Sequence, residues 1–427
     1  MQLIDLLSVM DTIKSIGGVA LAVLILLAMI TIHEFGHFIA GRILGFKINE
    51  FAVGFGPAIL KKRSKKSGVL YSLRVIPLGG YCAFDGEDEL EEKKPQTEEA
   101  PFEEMNSQPV ETENKGGMVA STDETEEEYP EPQGARFNDQ APWKRIIVLL
   151  AGATMNYLLA LFLILTMFAF VGRPVYEVQK FDLVEGASQE TVGMFEGGLQ
   201  TGDTVLAING KNMYLLTDWQ NALDGKKKGD TVKVTVLREG KKEDLTITLY
   251  NDASFANMND INDIFYSLGI AAKGMTTDEN GETKLVKLYS GALMPTTAKG
   301  GFFETIGNSF AYSWKIGGTV LRSLGELLTG KLGIETMGGP VTTIKITSEA
   351  ATSGWMNFLN IAALIGVNLA VFNLLPIPAL DGCKVIFCII EWIRKKPINR
   401  NVEAIIHFVG IVFLFGFAIL VDLLQLF

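Results

Sequence analysis

Three ionisable side chains fall within one turn of a strongly apolar stretch: His33, Glu34 and His37, in Ile32-His33-Glu34-Phe35-Gly36-His37-Phe38. Residues four apart share one face of an α-helix, so both imidazoles can converge on one metal ion while Glu34 reaches the ion's open side. The pattern is H-E-x-x-H, in which the glutamate serves as general base toward a water that zinc activates for attack on a peptide carbonyl. The same spacing also occurs on exposed, salt-bridged helices. Here the chain holds only three histidines and two of them are in the motif. Ionisable groups inside an apolar span are costly unless they serve a site.

Two histidines leave a hydrolytic zinc site short of a ligand, and the sequence offers one far away. In Asn373-Leu374-Leu375-Pro376-Ile377-Pro378-Ala379-Leu380-Asp381-Gly382 two prolines each remove a backbone donor, so the chain is predicted to unwind at membrane depth. Such backbone persists in a bilayer only around a buried site or cavity. Asp381 beside it is the natural third ligand, since a His₂-carboxylate set leaves the fourth position open. Its competing role is an N-cap for the following helix. Asn373 can hydrogen-bond a substrate backbone or orient a ligand. His407, four residues after Glu403, is a rival ligand, although a lone histidine near the start of a span also reads as interfacial.

The elements that must position these residues are long apolar helices. With 48% hydrophobic residues and a mean hydropathy of +0.24, the 427-residue chain reads as a membrane protein. Four spans are expected, at residues 16–32, 146–171, 356–375 and 405–426, the first retained rather than cleaved, each near the 20 or so residues that cross a hydrocarbon core. The three cysteines, Cys82, Cys383 and Cys388, form no C-x-x-C pair and read as small apolar packers. The net charge of −11 is local: residues 85–131 hold 18 acidic residues and three lysines, a balance of −15, which leaves +4 for the remainder.

Between the spans, short strand-like runs at 49–55 and 69–75 flank a basic patch, Lys61, Lys62, Arg63, Lys65 and Lys66, and lead to Pro77-Leu78-Gly79-Gly80-Tyr81. They predict a β-hairpin, either cytoplasmic or dipping to membrane depth beside a cavity. The acidic, proline-punctuated insertion at 85–135 is expected to be disordered. Asn156, inside the second span after Ala151-Gly152-Ala153, is expected to hydrogen-bond across helices or to the site. Residues 176–250 switch to short strands and glycine turns, and Gly198 to Gly210 resembles the core of a PDZ domain, a fold that binds extended peptides by strand addition. A PDZ-shaped spacer with an occluded groove is the alternative. Residues 251–353 read as linker and amphipathic interfacial helices, notably 302–328 and 344–351. Basic residues at 61–66 and at Arg394, Lys395, Lys396 and Arg400 place both short loops in the cytoplasm, and the PDZ-like domain and both termini outside.

Together, His33-Glu34-Phe35-Gly36-His37, Gly54-Phe55-Gly56-Pro57, Pro77 to Tyr81, Ala151 to Asn156, the PDZ-like core and Asn373 to Gly382 resemble the site-2 protease family, in particular its bacterial RseP/RasP-type branch of intramembrane zinc metalloproteases. The resemblance runs from about Ala28 to the C-terminus, the insertion excepted. It implies a polytopic α-helical membrane protein with four transmembrane helices and an inserted extracytoplasmic PDZ-like α+β domain. The implied order is 1–45 first helix, 46–84 hairpin region, 85–135 insertion, 142–172 second helix, 176–250 PDZ-like domain, 251–353 linker, 354–392 third helix and D-G motif, and 403–427 fourth helix.

It further implies one Zn²⁺ per chain held by His33, His37 and Asp381, Glu34 as base, and substrate held as an extended strand by Asn373, Pro376, Pro378, Gly79 and Gly80. The implied partners are single-pass membrane substrates of the anti-sigma-factor kind, trimmed first by a site-1-type protease, signal-peptide remnants and membrane lipid, in the bacterial cytoplasmic membrane, with no nucleic acid. Some relatives have two PDZ segments where this chain shows one, and the insertion is a second departure. Two other classes fit parts of the pattern: a non-catalytic membrane scaffold using the PDZ-like domain, and a metal transporter with His and Asp in its spans.

Overall fold

The computed structural model describes residues 2–87, 129–179, 182–183, 199–249, 252–253, 273–277, 283–287, 289–290, 293–334 and 337–425. Most of the acidic insertion, and with it the expected disorder, lies outside the described residues. The chain divides into two compact units, Met1–Ala160 with Thr319–Phe427, and Leu161–Gly318.

In chain order the helices are α1 (Gln2–Leu44), α2 (Pro142–Phe170), α3 (Leu216–Leu223), α4 (Phe302–Leu328), α5 (Pro340–Ser353), α6 (Trp355–Asn373), α7 (Asp381–Arg394) and α8 (Arg400–Leu424). Among the described residues four stretches are long and apolar enough to cross a membrane: Lys14–Leu44, Pro142–Phe170, Trp355–Asn373 and Arg400–Leu424. The first carries His33, Glu34 and His37 beyond the apolar run at 16–32, on to Leu44.

The first unit also holds β1 (Ile48–Arg63) and β2 (Leu70–Phe84), both far longer than the runs predicted. The lysines and arginine of the basic patch lie on β1 and its turn rather than in a separate loop. Each strand is bent into two arms: Glu50 to Val53 face Leu70 to Leu73 on one side and Ala83 to Gly80 on the other, while Ala58 to Arg63 pair back along Arg74 to Leu70. Gly54 and Gly56, at φ +86° and +83°, make the bend, a conformation that glycine adopts without steric cost. Phe46, Ile48, Phe84, Phe137, Val148 and Cys388 form the buried cluster that fastens the base of this sheet to α2 and α7. Helix α5 packs along α1 and α6. A Cβ at Gly18 of α1 would stand 2.6 Å from Ser348 Oγ.

The second unit carries β3 (Arg173–Val178), β4 (Asp182–Leu183), β5 (Thr204–Ile208), β6 (Lys211–Asn212), β7 (Thr231–Arg238), β8 (Lys241–Thr248), β9 (Lys273–Thr277), β10 (Thr283–Lys287), β11 (Tyr289–Ser290) and β12 (Leu293–Ala298). Its main sheet has the order β12-β3-β5-β7-β8, with β6 beside β5. Alternating Val232, Val234 and Val236 of β7 pack with Val205, Ile208 and Ile247 onto Trp219 of α3. The folded unit thus reaches past residue 250: β12, within the stretch read as linker, closes the sheet against β3.

Helix α4 matches the predicted 302–328 and packs a mostly polar face, together with Ile316, against the protein. It buries Thr305, Asn308, Ser309, Tyr312 and Ser313. Asn308 Oδ1 accepts from Tyr214 Oη at 2.6 Å and Lys315 reaches Asp218 at 2.9 Å. Phe303 and Trp314 are left 85% and 79% exposed.

Candidate metal centre

His33 and His37 lie one turn apart on α1, with ring centroids 4.8 Å apart and planes at 85°. Asp381 is the first residue of α7, and its N-cap is Leu380, which makes no side-chain cap. The carboxylate is therefore not used as a helix cap. Asp381 Oδ2 stands 3.1 Å from His33 Nε2 and 3.3 Å from His37 Nε2, and the two Nε2 atoms are 3.2 Å apart. Ligands about 2.0 Å from a tetrahedral zinc are separated by about 3.3 Å, so the three donors describe one face of such a site. Among the described residues these three form the one group of histidine, cysteine or acidic side chains arranged to hold an ion. Asp381 Oδ2 is buried and accepts no hydrogen bond, an expense that a bound cation would offset. The donor set and its geometry fit zinc.

Helix α2 orients both rings. His37 Nδ1 meets the Val148 carbonyl at 2.8 Å. The carbonyl only accepts, so Nδ1 carries the proton and Nε2 offers its lone pair to the centre. His33 Nδ1 lies 3.4 Å from the side-chain amides of both Asn156 and Asn373. The atom facing His33 is Nδ2 in both amides, while Asn156 Oδ1 is buried without a hydrogen bond; with the amide oxygens turned to His33 instead, Nδ1 would carry the proton and leave Nε2 free for the centre. Gly152 leaves the space: a Cβ there would overlap His37 Nε2 and stand 2.7 Å from His33 Cε1. Gly36 admits α2 closely in the same way, since its Cβ would lie 2.8 Å from the Ala151 carbonyl carbon.

Of the other expected residues, Gly80 reaches the site. Its Cβ position would be 3.3 Å from Glu34 Cγ, so the second arm of β2 runs beside the expected base. Gly79, at φ +110°, faces Phe55 rather than the histidines. Pro376 is exposed and Pro378 half-buried on the non-helical segment 374–380 between Asn373 and Asp381. His407 is not in the cluster; its Nδ1 accepts from the Ala379 backbone at 3.1 Å. The three cysteines are buried and free, as small packers. What sequence reasoning missed is the ion pair that ties α2 to α7, Arg145 Nη2 to Glu391 at 2.5 Å, with Arg400 of α8 at 3.0 Å from the same carboxylate. A lone arginine at the foot of a span was its signal.

The profile of peptidase family M50 matches residues 21–417. The chain is 30% identical to the zinc metalloprotease RasP of Bacillus licheniformis, over 92% of this chain and 94% of that one. It is 28% identical to the regulator of sigma-W protease RasP of Bacillus subtilis, over 90% and 92%. Among solved structures it is similar to the PDZ domain of the SdrC-like protein of Listeria monocytogenes at 19% identity, with a TM-score of 0.14, over 28% of this chain and 90% of that one. The family match sets aside both the scaffold and the transporter. The chain belongs to peptidase family M50 and is an intramembrane zinc metalloprotease.

Proposed function

We propose that His33, His37 and Asp381 hold one zinc ion, that Glu34 is the general base, and that the bond cut lies within a transmembrane segment of a single-pass substrate. The observation that carries this reading is the convergence of three donor atoms at 3.1–3.3 Å, two from a helix of membrane-spanning length and one from Asp381 at the start of α7. Zinc, when bound, polarises the scissile carbonyl and lowers the pKa of a water toward about 7. Glu34 takes that water's proton and passes it to the departing amine. His37, held by Val148, and His33, between two asparagines, keep their Nε2 atoms on the centre without reorganising as charge develops.

A transmembrane helix hides its carbonyls in internal hydrogen bonds and must open to be cut. The arm of β2 beside Glu34 offers a strand edge on which the opened peptide pairs, with Gly80 close to the base. Asn373, whose amide lies 3.4 Å from His33 Nδ1, Pro376 and Pro378 on the segment that leads to Asp381, and Gly79 beside Gly80 on β2 would hold the same extended peptide.

A relative named as a regulator of sigma-W protease supports substrates of the anti-sigma-factor kind, trimmed first by another protease, with signal-peptide remnants as a second class. The basic residues at 61–66 and 394–400 support a cytoplasmic side for those segments and an outer side for the β-rich unit. The bare aromatic face of α4, with Phe303 and Trp314, then rests in the outer interface of the bilayer.

The test is Glu34→Gln, assayed for cleavage of a membrane-anchored reporter together with zinc content. Cleavage lost with zinc retained is expected; full cleavage with zinc bound would remove Glu34 from its role.

A further inference from the structure

The segment 374–380 delivers Asp381 to the histidines, yet it has no regular helix to hold it. Its own bonds are short-range: Leu375 N to Phe372 O at 2.9 Å, Ile377 N to Leu375 O at 2.8 Å and Leu380 N to Ile377 O at 3.1 Å. Ala379 stands at φ +80°, a left-handed conformation that a residue with a Cβ adopts only when its surroundings impose it.

The surroundings are α8. The Ala379 N–H donates to His407 Nδ1 at 3.1 Å, so His407 is the neutral tautomer with its proton on Nε2. Three residues on, hence on the same face, Gly410 is buried against the preceding residue: a Cβ there would lie 2.5 Å from the Pro378 carbonyl carbon and 2.6 Å from its oxygen. The His407 ring also meets Phe387 of α7 edge-on, at 5.7 Å between centroids. A backbone N–H at this depth needs a partner, and the one it has comes from a different helix.

We propose that His407 and Gly410 are positioning residues, which clamp Pro378 and Ala379 in the left-handed turn that aims Asp381 at His33 and His37. The proposal rests on the reading of Asp381 as a zinc ligand, and it turns His407 from a rival ligand into a support for the ligand.

The test is the Zn²⁺ affinity of the purified full chain in detergent micelles, measured by competition with a chelator and accompanied by the melting temperature of the metal-free protein. Asp381→Ala serves as reference: unchanged affinity there would defeat the zinc-site reading itself. His407→Leu is expected to weaken Zn²⁺ binding by about 10–100-fold, the range for groups that support a ligand. His407→Asn, whose Oδ1 can accept from the Ala379 N–H, should recover most of it. Gly410→Ala, which keeps the imidazole but pushes α8 off Pro378, should fall in the same range. Wild-type affinity in a folded His407→Leu protein, or equal losses in His407→Leu and His407→Asn, would overturn the clamp. Should His407→Leu fail to fold, Gly410→Ala decides alone: reduced affinity supports the proposal and wild-type affinity overturns it.

Discussion

His33 Nε2 and Asp381 Oδ2 stand 3.1 Å apart, although one belongs to α1 and the other opens α7. Neither helix brings this about alone. Helix α2 lies against both rings, with Val148 on His37, Asn156 near His33 and Gly152 making room between them. The break at 374–380 turns the chain so that α7 begins at the same depth.

If the gap at Gly152 is what admits the two imidazoles, filling it with one methyl group should displace His37 while every ligand residue keeps its identity. Gly152→Ala is expected to lower Zn²⁺ affinity and cleavage by at least about tenfold, the low end for a disturbed ligand shell. Gly307→Ala in α4, where a Cβ meets nothing within 4 Å, is the control and should gain up to about 1 kcal/mol in helix stability. Zinc titration and thermal unfolding of both proteins check this.

The pair Arg145–Glu391 is about 95% buried on both sides, so breaking it strands a charge. Glu391→Ala is expected to destabilise the first unit by about 3–5 kcal/mol, whereas Arg145→Met with Glu391→Leu should recover much of that loss. Because Arg400 faces the same carboxylate, the double variant should fall short of wild type until Arg400 is also neutralised. Thermal unfolding of the single, double and triple variants measures the coupling.

Glu50, on the sheet and outside the membrane-length helices, sets an acid limit. Burial pushes its pKa up, but hydrogen bonds from Ser72 at 2.5 Å, Arg74 at 2.8 Å and Tyr81 at 2.9 Å outweigh this and hold it below the ordinary 4.5. A lowered folded-state pKa contributes stability that is complete above 4.5 and is lost as pH falls through the folded value. Hydrogen exchange across 70–84, corrected for intrinsic rate, should therefore accelerate below pH 4.5 in the wild type. In Glu50→Gln the sheet should open more readily at neutral pH and show no such step.

The parts of this architecture that are local in sequence could be read from it. The four-residue spacing of His33 and His37 follows from helix geometry, and Pro376 and Pro378 announce the break whatever surrounds them. The bounds of α4 follow from its apolar period, but which face would be covered does not, because Asn308 and Lys315 find partners only once Tyr214 and Asp218 are folded beneath them. Strand β12 was hidden for a similar reason. Its Leu-Met-Pro-Thr-Thr-Ala sequence has little alternation, and its identity as a strand depends on β3, more than a hundred residues earlier. Likewise the Arg145–Glu391 pair, Gly152 beneath the imidazoles and His407 over Ala379 are contacts between distant segments, and no local period encodes them.

The most direct measurement is zinc-edge X-ray absorption on the purified full chain, with metal content determined alongside. One zinc per chain with two imidazole nitrogens, a carboxylate oxygen and no sulfur is expected in the wild type. In Asp381→Ala that oxygen should disappear and affinity should drop by more than about 100-fold, beyond what loss of a supporting group costs. A sulfur ligand from Cys82, Cys383 or Cys388, or unchanged zinc in Asp381→Ala, would contradict the assignment of His33, His37 and Asp381 as the metal centre.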